Sequence, residues 1–363
     1  MRTLVALIAA GAAALGGCAY IANKKLDAQE EKPGIQAEKL RVPPGYGVTV
    51  VARDLPGARE MALGPDGWLF VGSNAGNVYA LNVAGGRPAR TIVKGMKSSG
   101  VAYANGSLFV ADRSQVYRYD NIASQLDGNG RGVTIVDGLP SEKRHGARFL
   151  AIGPDGKLYV SIGSPCDACE ASNDEYGTII RVNTDGSGRE VVARGLRNSV
   201  GFDWHPRTGE LWFTDNGPDT LGADKPDDEL NRVSRTGENY GFPYCHNGTV
   251  PDPKFSSMHA CSEFTAPVVG LGAHAAALGM RFSKADGSIL VARHGSHPPS
   301  RVAYDVVRVK LDGNRATGVE PFLTGFLQGR EYWGRPADVL SMADGSVLVA
   351  DDLNGAIYRV MKQ

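Results

Sequence analysis

The chain has 363 residues, and its 39 lysines and arginines balance 39 aspartates and glutamates, so it carries no formal net charge. This length suits two ordinary domains or one large all-β domain. The even charge, without a basic cluster, argues against nucleic acid as a partner. The 47 glycines stand mostly in short clusters, which is typical of many tight turns between strands.

The N-terminal segment is predicted to be an export signal. Residues 1–18, MRTLVALIAAGAAALGGC, hold one early cation and an alanine-rich apolar run that is too short to span a bilayer. The small residues before Cys18 resemble a bacterial lipobox, in which this cysteine is lipidated; an ordinary signal peptide or an uncleaved anchor are the alternatives. Ala19 favours anchoring at the periplasmic face of an outer membrane. Residues 19–44 are predicted to form a polar tether.

Six repeated segments follow, each with an apolar run, a glycine turn (usually Asp-Gly or Asn-Gly) and a second apolar run. A third strand-like run follows each pair, and a fourth accompanies most. This pattern predicts an all-β fold, a six-bladed β-propeller over residues 45–363, because two barrels or a pair of sandwiches would not keep the same turn in every unit. The run GVTVVARDL, residues 47–55, is predicted to complete the last blade. The turn glycines are Gly67, Gly106, Gly156, Gly209, Gly287 and Gly345.

Four cysteines remain after Cys18, and an exported chain meets an oxidising compartment. Four cysteines allow three pairings, and we predict the simplest, local one, which joins Cys166 with Cys169 and Cys245 with Cys261. The second bridge would close a loop of about fifteen residues, worth roughly 3 kcal/mol in the chain-entropy model. A redox-active Cys166–Cys169 pair is the alternative to a structural one.

The repeats also predict where function lies. Residues just before the first strand and just after the second strand of each repeat share one mouth of the channel. Arginines around a cavity suit an anion with several carboxylates, and the carbonyls of the DNGPD loop at residues 215–219 suit calcium. A histidine beside both is a candidate general base, so the mouth suits hydride transfer. The polar residues predicted there include Ser99, His145, Arg197, Asn198, Asn216, Arg293, Arg335 and Asp351.

Three motifs resemble the glucose/sorbosone dehydrogenase family, whose members are six-bladed propellers that use pyrroloquinoline quinone (PQQ). They are RHGARFLAIGPDGKLYVSIGSPC from residue 144, GLRNSVGFDWHPRTGELWFTDNGPD with DDELN from residue 195, and NYGFP from residue 239. The resemblance covers residues 45–360 and is strongest between residues 144 and 243. Each motif alone is weak, but their combination in this order is specific.

The resemblance implies a role for individual residues. His145 matches the catalytic base, and Arg197 matches the arginine that stabilises charge on the quinone. The carbonyls of Gly217 and Pro218 match the ligands of Ca²⁺. The residues implied to contact PQQ are Ser99, Arg197, Asn198, Asn216, Arg293, Arg335 and Asp351.

Two positions depart from the family pattern. Ser164 stands where better-known members have an aspartate that orients the histidine, and a serine does not stabilise an imidazolium as a carboxylate does. Asp167 is a candidate substitute. Ala337 replaces one of two arginines in the last blade, which leaves Arg335.

The resemblance implies oxidation of an aldose or related sugar at the anomeric carbon to a lactone, with hydride passing to calcium-bound PQQ. An external acceptor (a quinone, a cytochrome or a small redox protein) would then take the electrons. Two alternatives stay open at this point. A six-bladed calcium-dependent lactonase or esterase would also hold a metal at the channel mouth, and a non-catalytic propeller at the cell surface would need no cofactor.

Overall fold

Six sheets, each built on four antiparallel strands, follow one another along the chain in the computed structural model, which describes residues 34–85, 87–97, 99–296 and 301–363. The third of these sheets also has a fifth, parallel strand. Strands take up 45% and helices 4% of the chain. The first strands of neighbouring sheets contact each other, so they line the central channel and the later strands lie further out. The all-β six-bladed propeller predicted from the repeats is therefore confirmed.

In chain order, the separate first strand β1 (Tyr46–Ala52) precedes the six blades. Blade 1 is β2 (Ala58–Leu63), β3 (Trp68–Ser73), β4 (Asn77–Asn82) and β5 (Arg87–Lys94). Blade 2 is β6 (Val101–Ala104), β7 (Ser107–Ala111), β8 (Val116–Tyr119) and β9 (Val133–Val136). Blade 3 is β10 (Leu150–Ile152), β11 (Leu158–Ile162), β12 (Thr178–Val182) and β13 (Glu190–Arg194).

Blade 4 begins with β14 (Gly201–Trp204), β15 (Leu211–Asp215) and β16 (Asp227–Arg232). An insertion with β17 (Glu238–Asn239), β18 (Cys245–His246) and β19 (Val250–Pro251) precedes its outer strand β20 (Val269–Ala273). Blade 5 is β21 (Ala277–Phe282), β22 (Ile289–Arg293), β23 (Asp305–Asp312) and β24 (Arg315–Leu323). After the hairpin β25 (Leu327–Gln328) and β26 (Glu331–Tyr332), blade 6 has β27 (Pro336–Ser341), β28 (Val347–Asp351) and β29 (Ala356–Lys362). Short 3₁₀ helices are Ala37–Lys39, Pro65–Gly67, Ile122–Ser124 and Cys261–Glu263.

The ring closes through β1, which pairs antiparallel with β29 and supplies the fourth strand of blade 6. Val48 lies opposite Val360, and Tyr46 lies opposite Lys362. This pairing covers an otherwise open edge of the last sheet. The prediction that the N-terminal strand completes the last blade is confirmed.

The repeated turns explain why the units are alike. The turn glycines have φ angles between 70° and 83°, a left-handed conformation that glycine adopts without a steric penalty. In blade 2 the preceding Asn105 is left-handed as well, with a φ of 49°, which makes a tight two-residue hairpin turn.

Among the described residues, six of the seven apolar clusters each lie between two consecutive blades. Between blades 3 and 4, for example, Phe149 and Phe202 meet edge to face with ring centroids 4.7 Å apart. The sixth cluster joins Leu69 of blade 1 to Leu348 of blade 6, so that the core is also a closed ring.

Truncation of a side chain between two blades should destabilise the whole ring. Phe202 is fully buried and packs against Phe149 and Trp204, so Phe202→Ala should lower the free energy of unfolding by about 3–5 kcal/mol. Urea denaturation measures this change. Val133→Ala is the control, because that side chain is 57% exposed, and its effect should stay within about 0.5 kcal/mol. Equal effects of the two substitutions would contradict the inter-blade core.

Residues that precede the predicted boundary at residue 45 already pack on the propeller. Leu40 is buried in the cluster between blades 5 and 6, and Arg41 exchanges backbone hydrogen bonds of 2.9 Å with Thr324. Residues 37–42, assigned to the polar tether, therefore pack on the propeller, because the apolar side chains of this stretch find a place in the core. The signal peptide, Cys18 and residues 19–33 lie outside the described residues.

Both predicted disulfides, Cys166–Cys169 and Cys245–Cys261, are formed. The second lies in the insertion of blade 4, and β17 of the same insertion pairs in parallel with β13 of blade 3. Among the described residues, no helix has both the length and the apolar character needed to cross a membrane.

Candidate active site

A cavity of about 630 Å³ opens among the loops that precede the first strands and follow the second strands of the blades. It brings together five residues predicted for the site: His145, Arg197, Asn198, Asn216 and Gly217. It also brings in residues to which the sequence assigned no role in the chemistry, among them Asp228, His274 and His294. The channel mouth is therefore the place where these five predicted residues meet.

His145 stands between blades 2 and 3 with a fixed ring. Its Nδ1 lies 2.8 Å from the carbonyl oxygen of Ser164, which can only accept a hydrogen bond. Nδ1 therefore carries the proton, and Nε2 is left as an acceptor without a hydrogen-bond partner among the described residues. The backbone of His145 is left-handed, with a φ of 48°, and a Cβ on the neighbouring Gly163 would lie 2.5 Å from that of His145. Strained backbone of this kind persists where the surroundings hold it.

The pKa of His145 is lowered to about 4, first by burial and then by the charges of Arg197 and Arg144. The imidazole is thus neutral, and able to accept a proton, at neutral pH.

This shift gives a measurable pH dependence in the protein without cofactor. In a folded protein the C2–H resonance of His145 should titrate with a midpoint near 4 instead of the ordinary 6.5. The unfolded chain binds this proton first as the pH falls, so the contribution of His145 to stability is complete above about pH 6.5 and is lost towards pH 4. NMR titration measures the midpoint, and loss of the resonance in His145→Gln identifies it. A midpoint near 6.5 would contradict the assigned environment.

The departure at Ser164 has a structural answer. The backbone carbonyl of Ser164, and no carboxylate, orients the histidine, while its hydroxyl faces Cys166 Sγ at 3.2 Å. Asp167 does not take over this task, because its carboxylate binds Arg197 and Arg144.

Arg197 is buried, with 4% of its surface exposed, and its guanidinium is held on three sides. Nη2 lies 2.6 Å from Asp167 Oδ1 and 3.0 Å from Asp219 Oδ2. Nε donates to the carbonyl of Asp167 at 2.9 Å, and Nη1 donates to the carbonyl of Asn216 at 3.3 Å. Asp215 instead receives the backbone N–H groups of Arg197 and Asn198, at 2.9 and 2.7 Å.

The loop after β15 carries the amide and carbonyl groups of the site. Asn216 accepts a hydrogen bond from Asn198 at 3.3 Å and donates to the carbonyl of Ala277 at 2.7 Å. Gly217 donates its N–H to Asp228 at 3.0 Å. Within the described ranges, no donor occupies the carbonyl oxygens of Gly217 and Pro218, and no group of three or more His, Cys, Asp or Glu is arranged for a metal.

Four residues predicted to contact a cofactor do not line the cavity. Arg293 points away and forms a two-point ion pair with Asp305, at 2.8 and 2.7 Å. Asp351 is fully buried and accepts hydrogen bonds from Asn354, Tyr358 and the N–H of Arg335 within blade 6. Ser99 is buried with its hydroxyl 3.3 Å from Glu60, and the side chain of Arg335 binds Asp352.

A cationic cluster, whose mutual pairing the sequence did not predict, borders the cavity through His294. Its centre is the fully buried carboxylate of Asp352, which Arg59, Arg335 and His294 each approach to 3.0 Å. Burial opposes ionisation of Asp352, but the charges of His294, Arg59 and Arg335 outweigh it and lower its pKa far below the ordinary value. Two guanidinium groups share one carboxylate, so the cluster is net positive. The available signal was the position of His294 directly after the second strand of blade 5, which places it at the channel mouth.

Comparison with known proteins identifies the family. Residues 40–362 match the TrAA12-like family. The chain is 30% identical over 345 residues to an uncharacterised protein of Borreliella burgdorferi, which covers 88% of this chain and 90% of that protein. Quinoprotein glucose dehydrogenase B of Acinetobacter calcoaceticus is 30% identical over 182 residues, 41% of this chain and 35% of that protein.

Solved structures share the fold. The calcium structure of the Trichoderma reesei carbohydrate-active enzyme of family AA12 superimposes with a TM-score of 0.78 at 19% identity, over 89% of this chain and 97% of that one. The holo PQQ domain of pyranose dehydrogenase from Coprinopsis cinerea superimposes with a TM-score of 0.76 at 18% identity, over the same shares. Because the family match spans nearly the whole propeller, this chain belongs to the TrAA12-like family.

Proposed function

We propose that the protein is a PQQ- and calcium-dependent dehydrogenase that oxidises an aldose or a related sugar at its anomeric carbon. The observation that carries the proposal is one wall of the cavity, where Nε2 of His145 accompanies buried Arg197 and the Asn216–Gly217 segment and has no hydrogen-bond partner in the described part of the chain. The names of the relatives, a quinoprotein glucose dehydrogenase and a PQQ domain of a pyranose dehydrogenase, support this choice of cofactor and substrate class.

The groups present fit such a cofactor. A volume of about 630 Å³ lies in the range of sites for compact organic ligands. Arg197, Asn198 and Asn216 offer a planar cation and amides to a polycarboxylate quinone, and the carbonyls of Gly217 and Pro218 offer the hard oxygen ligands that Ca²⁺ prefers. That no donor among the described residues occupies these two carbonyls supports their proposed use as ligands.

The cationic cluster behind His294 supports binding of an anion at the other side of the cavity. Its excess positive charge, from Arg59 and Arg335 against Asp352, attracts carboxylate groups of a bound cofactor. We therefore assign to His294 the contact that the sequence assigned to Arg293, with Arg335 acting behind it.

In the proposed reaction, the chain supplies the base and a fixed charge. When bound, PQQ with calcium provides an electrophile that accepts the hydride released from the anomeric carbon. His145 Nε2 accepts the proton of the anomeric hydroxyl, while the carbonyl of Ser164 keeps its hydrogen bond to Nδ1 and thereby stabilises the imidazolium. The positive charge of Arg197 stabilises negative charge that develops at its end of the cavity. Loss of one proton and one hydride from a cyclic aldose leaves a lactone.

We further propose that the protein works outside the cytoplasm, tethered through a lipid on Cys18 at the periplasmic face of an outer membrane. The two disulfides and the lipobox-like sequence support this location. A quinone, a cytochrome or a small redox protein is the proposed electron acceptor.

Reconstitution tests the function. Purified protein without cofactor should bind PQQ only when Ca²⁺ is present, and a panel of aldoses should then reduce the bound quinone, which absorption spectroscopy follows. Removal of Ca²⁺ with a chelator should abolish reduction, and its return should restore it. If the protein does not bind PQQ with Ca²⁺ present, the proposal fails. Hydrolysis of lactone substrates in the same preparation would then favour the calcium-dependent hydrolase.

A further inference from the structure

One short loop, residues 164–169, forms hydrogen bonds to both residues proposed for the chemistry, His145 and Arg197. The carbonyl of Ser164 binds His145 Nδ1 at 2.8 Å, and three residues later Asp167 binds Arg197 with both its carbonyl and its carboxylate. The Cys166–Cys169 disulfide closes the same loop. The base and the cation are thus supported by one covalently braced segment.

Asp167 is itself anchored. Thr220 donates its hydroxyl to Oδ2 at 3.0 Å, the backbone N–H of Asp219 lies 3.2 Å from Oδ1, and Arg144 lies 2.9 Å from the same oxygen. The carboxylate therefore joins the disulfide loop to the loop after β15, which presents Gly217 and Pro218. Burial opposes ionisation, but the hydrogen bond and charge of Arg197 prevail and lower the pKa of Asp167 to about 2.

We propose that the disulfide-closed loop 164–169 is a positioning element of the active site, and that Asp167 is the positioning residue that aims Arg197 at the cofactor. The inference rests on the proposed function, because it assumes that Arg197 meets the quinone. It assigns the Cys-x-x-Cys pair a structural role in the site rather than a redox one.

The direction in which Asp167→Asn changes the affinity for PQQ distinguishes a positioning role from a purely electrostatic one. Asp167→Asn removes a negative charge beside the proposed site of an anion, so a purely electrostatic role predicts tighter binding of PQQ. A positioning role predicts weaker binding, by about tenfold to a hundredfold, as for other groups that orient a ligand-binding side chain. Equilibrium binding of PQQ to the apoprotein in excess Ca²⁺ measures the difference without turnover.

A double-mutant cycle with Arg197 completes the test. If Asp167 acts through Arg197, then Arg197→Ala with Asp167→Asn binds PQQ no more weakly than Arg197→Ala alone. The control is Asp344→Asn, which removes another arginine-paired aspartate, the partner of Arg359 at the turn after β27, and should leave binding unchanged. Tighter or unchanged binding by Asp167→Asn, or additive losses in the double variant, would overturn the proposal.

The role of the Cys166–Cys169 disulfide is tested by the double substitution Cys166→Ser with Cys169→Ser. This variant should weaken PQQ binding in the same direction as Asp167→Asn, while the Tm stays close to wild type because the bridge spans only three residues of sequence. Binding of PQQ at wild-type affinity by this variant would overturn the role of the disulfide. If the wild-type protein itself does not bind PQQ, the proposed function fails and the cycle is not reached.

Discussion

His145→Ala should bind PQQ as the wild-type protein does but reduce it about a hundred to ten thousand times more slowly, the usual range for loss of a general base. The reason is local: Nδ1 is committed to the Ser164 carbonyl, so Nε2 is the atom left to accept the proton of the sugar hydroxyl. His145→Gln should give a similar loss, because the amide fills much of the space but does not accept the proton. Single-turnover absorption of bound quinone after mixing with an aldose measures the rate.

The control for this substitution is His259→Ala. His259 is an exposed partner of Glu263 in the blade 4 insertion and does not line the cavity, so its replacement should leave the rate unchanged. Quinone reduction at the wild-type rate in His145→Ala would refute the base assignment. Loss of PQQ binding in the same variant would instead make His145 a cofactor-binding residue.

The fold followed from local sequence because each blade repeats the same turn. A glycine with positive φ at each hairpin, flanked by apolar runs, is a signal that one sequence displays six times. The outer strand of blade 4, β20, was not predicted, because the insertion of residues 233–268 separates it from β16 and breaks the repeat. The packing of Leu40, within the predicted tether, was not predictable for a related reason. Its side chain contacts residues of blades 5 and 6, which are distant in sequence.

Which residues line the cavity was predictable where motif positions define them, as for His145, Arg197 and Gly217. The lining was harder to predict where the direction of a side chain alone decides whether it reaches the cavity. Arg293 ends β22 facing Asp305, and its neighbour His294 faces the cavity instead. Asp352 likewise binds arginines of blades 1 and 6. Its partner Arg59 is 293 residues away in sequence, so no local pattern predicts this pair. Long-range ion pairs of this kind depend on how the ring closes.

Arg197→Ala should raise the dissociation constant of PQQ by about a hundredfold to five-thousandfold, because loss of one partner of a buried charge pair at a binding site costs about 3–5 kcal/mol. The substitution removes the buried cation and also leaves Asp167 and Asp219 unpaired beside the proposed anion site. Without Arg197, the pKa of Asp167 should rise from its lowered value, so some binding should return as the pH falls through the new pKa of that carboxyl. Binding titrations with Ca²⁺ present, repeated at several pH values, measure both effects.

Arg293→Ala is the matched control, since it removes an arginine that is also held by an aspartate but does not line the cavity. It should lower stability while PQQ affinity stays at the wild-type value. The reverse result, in which Arg293→Ala loses the quinone and Arg197→Ala keeps it, would return the carboxylate contact from His294 to Arg293 and remove Arg197 from the site. Both arginines form ion pairs with aspartates, but only Arg197 of the two lines the cavity. The comparison therefore tests the position at the cavity and not the general effect of losing a charge.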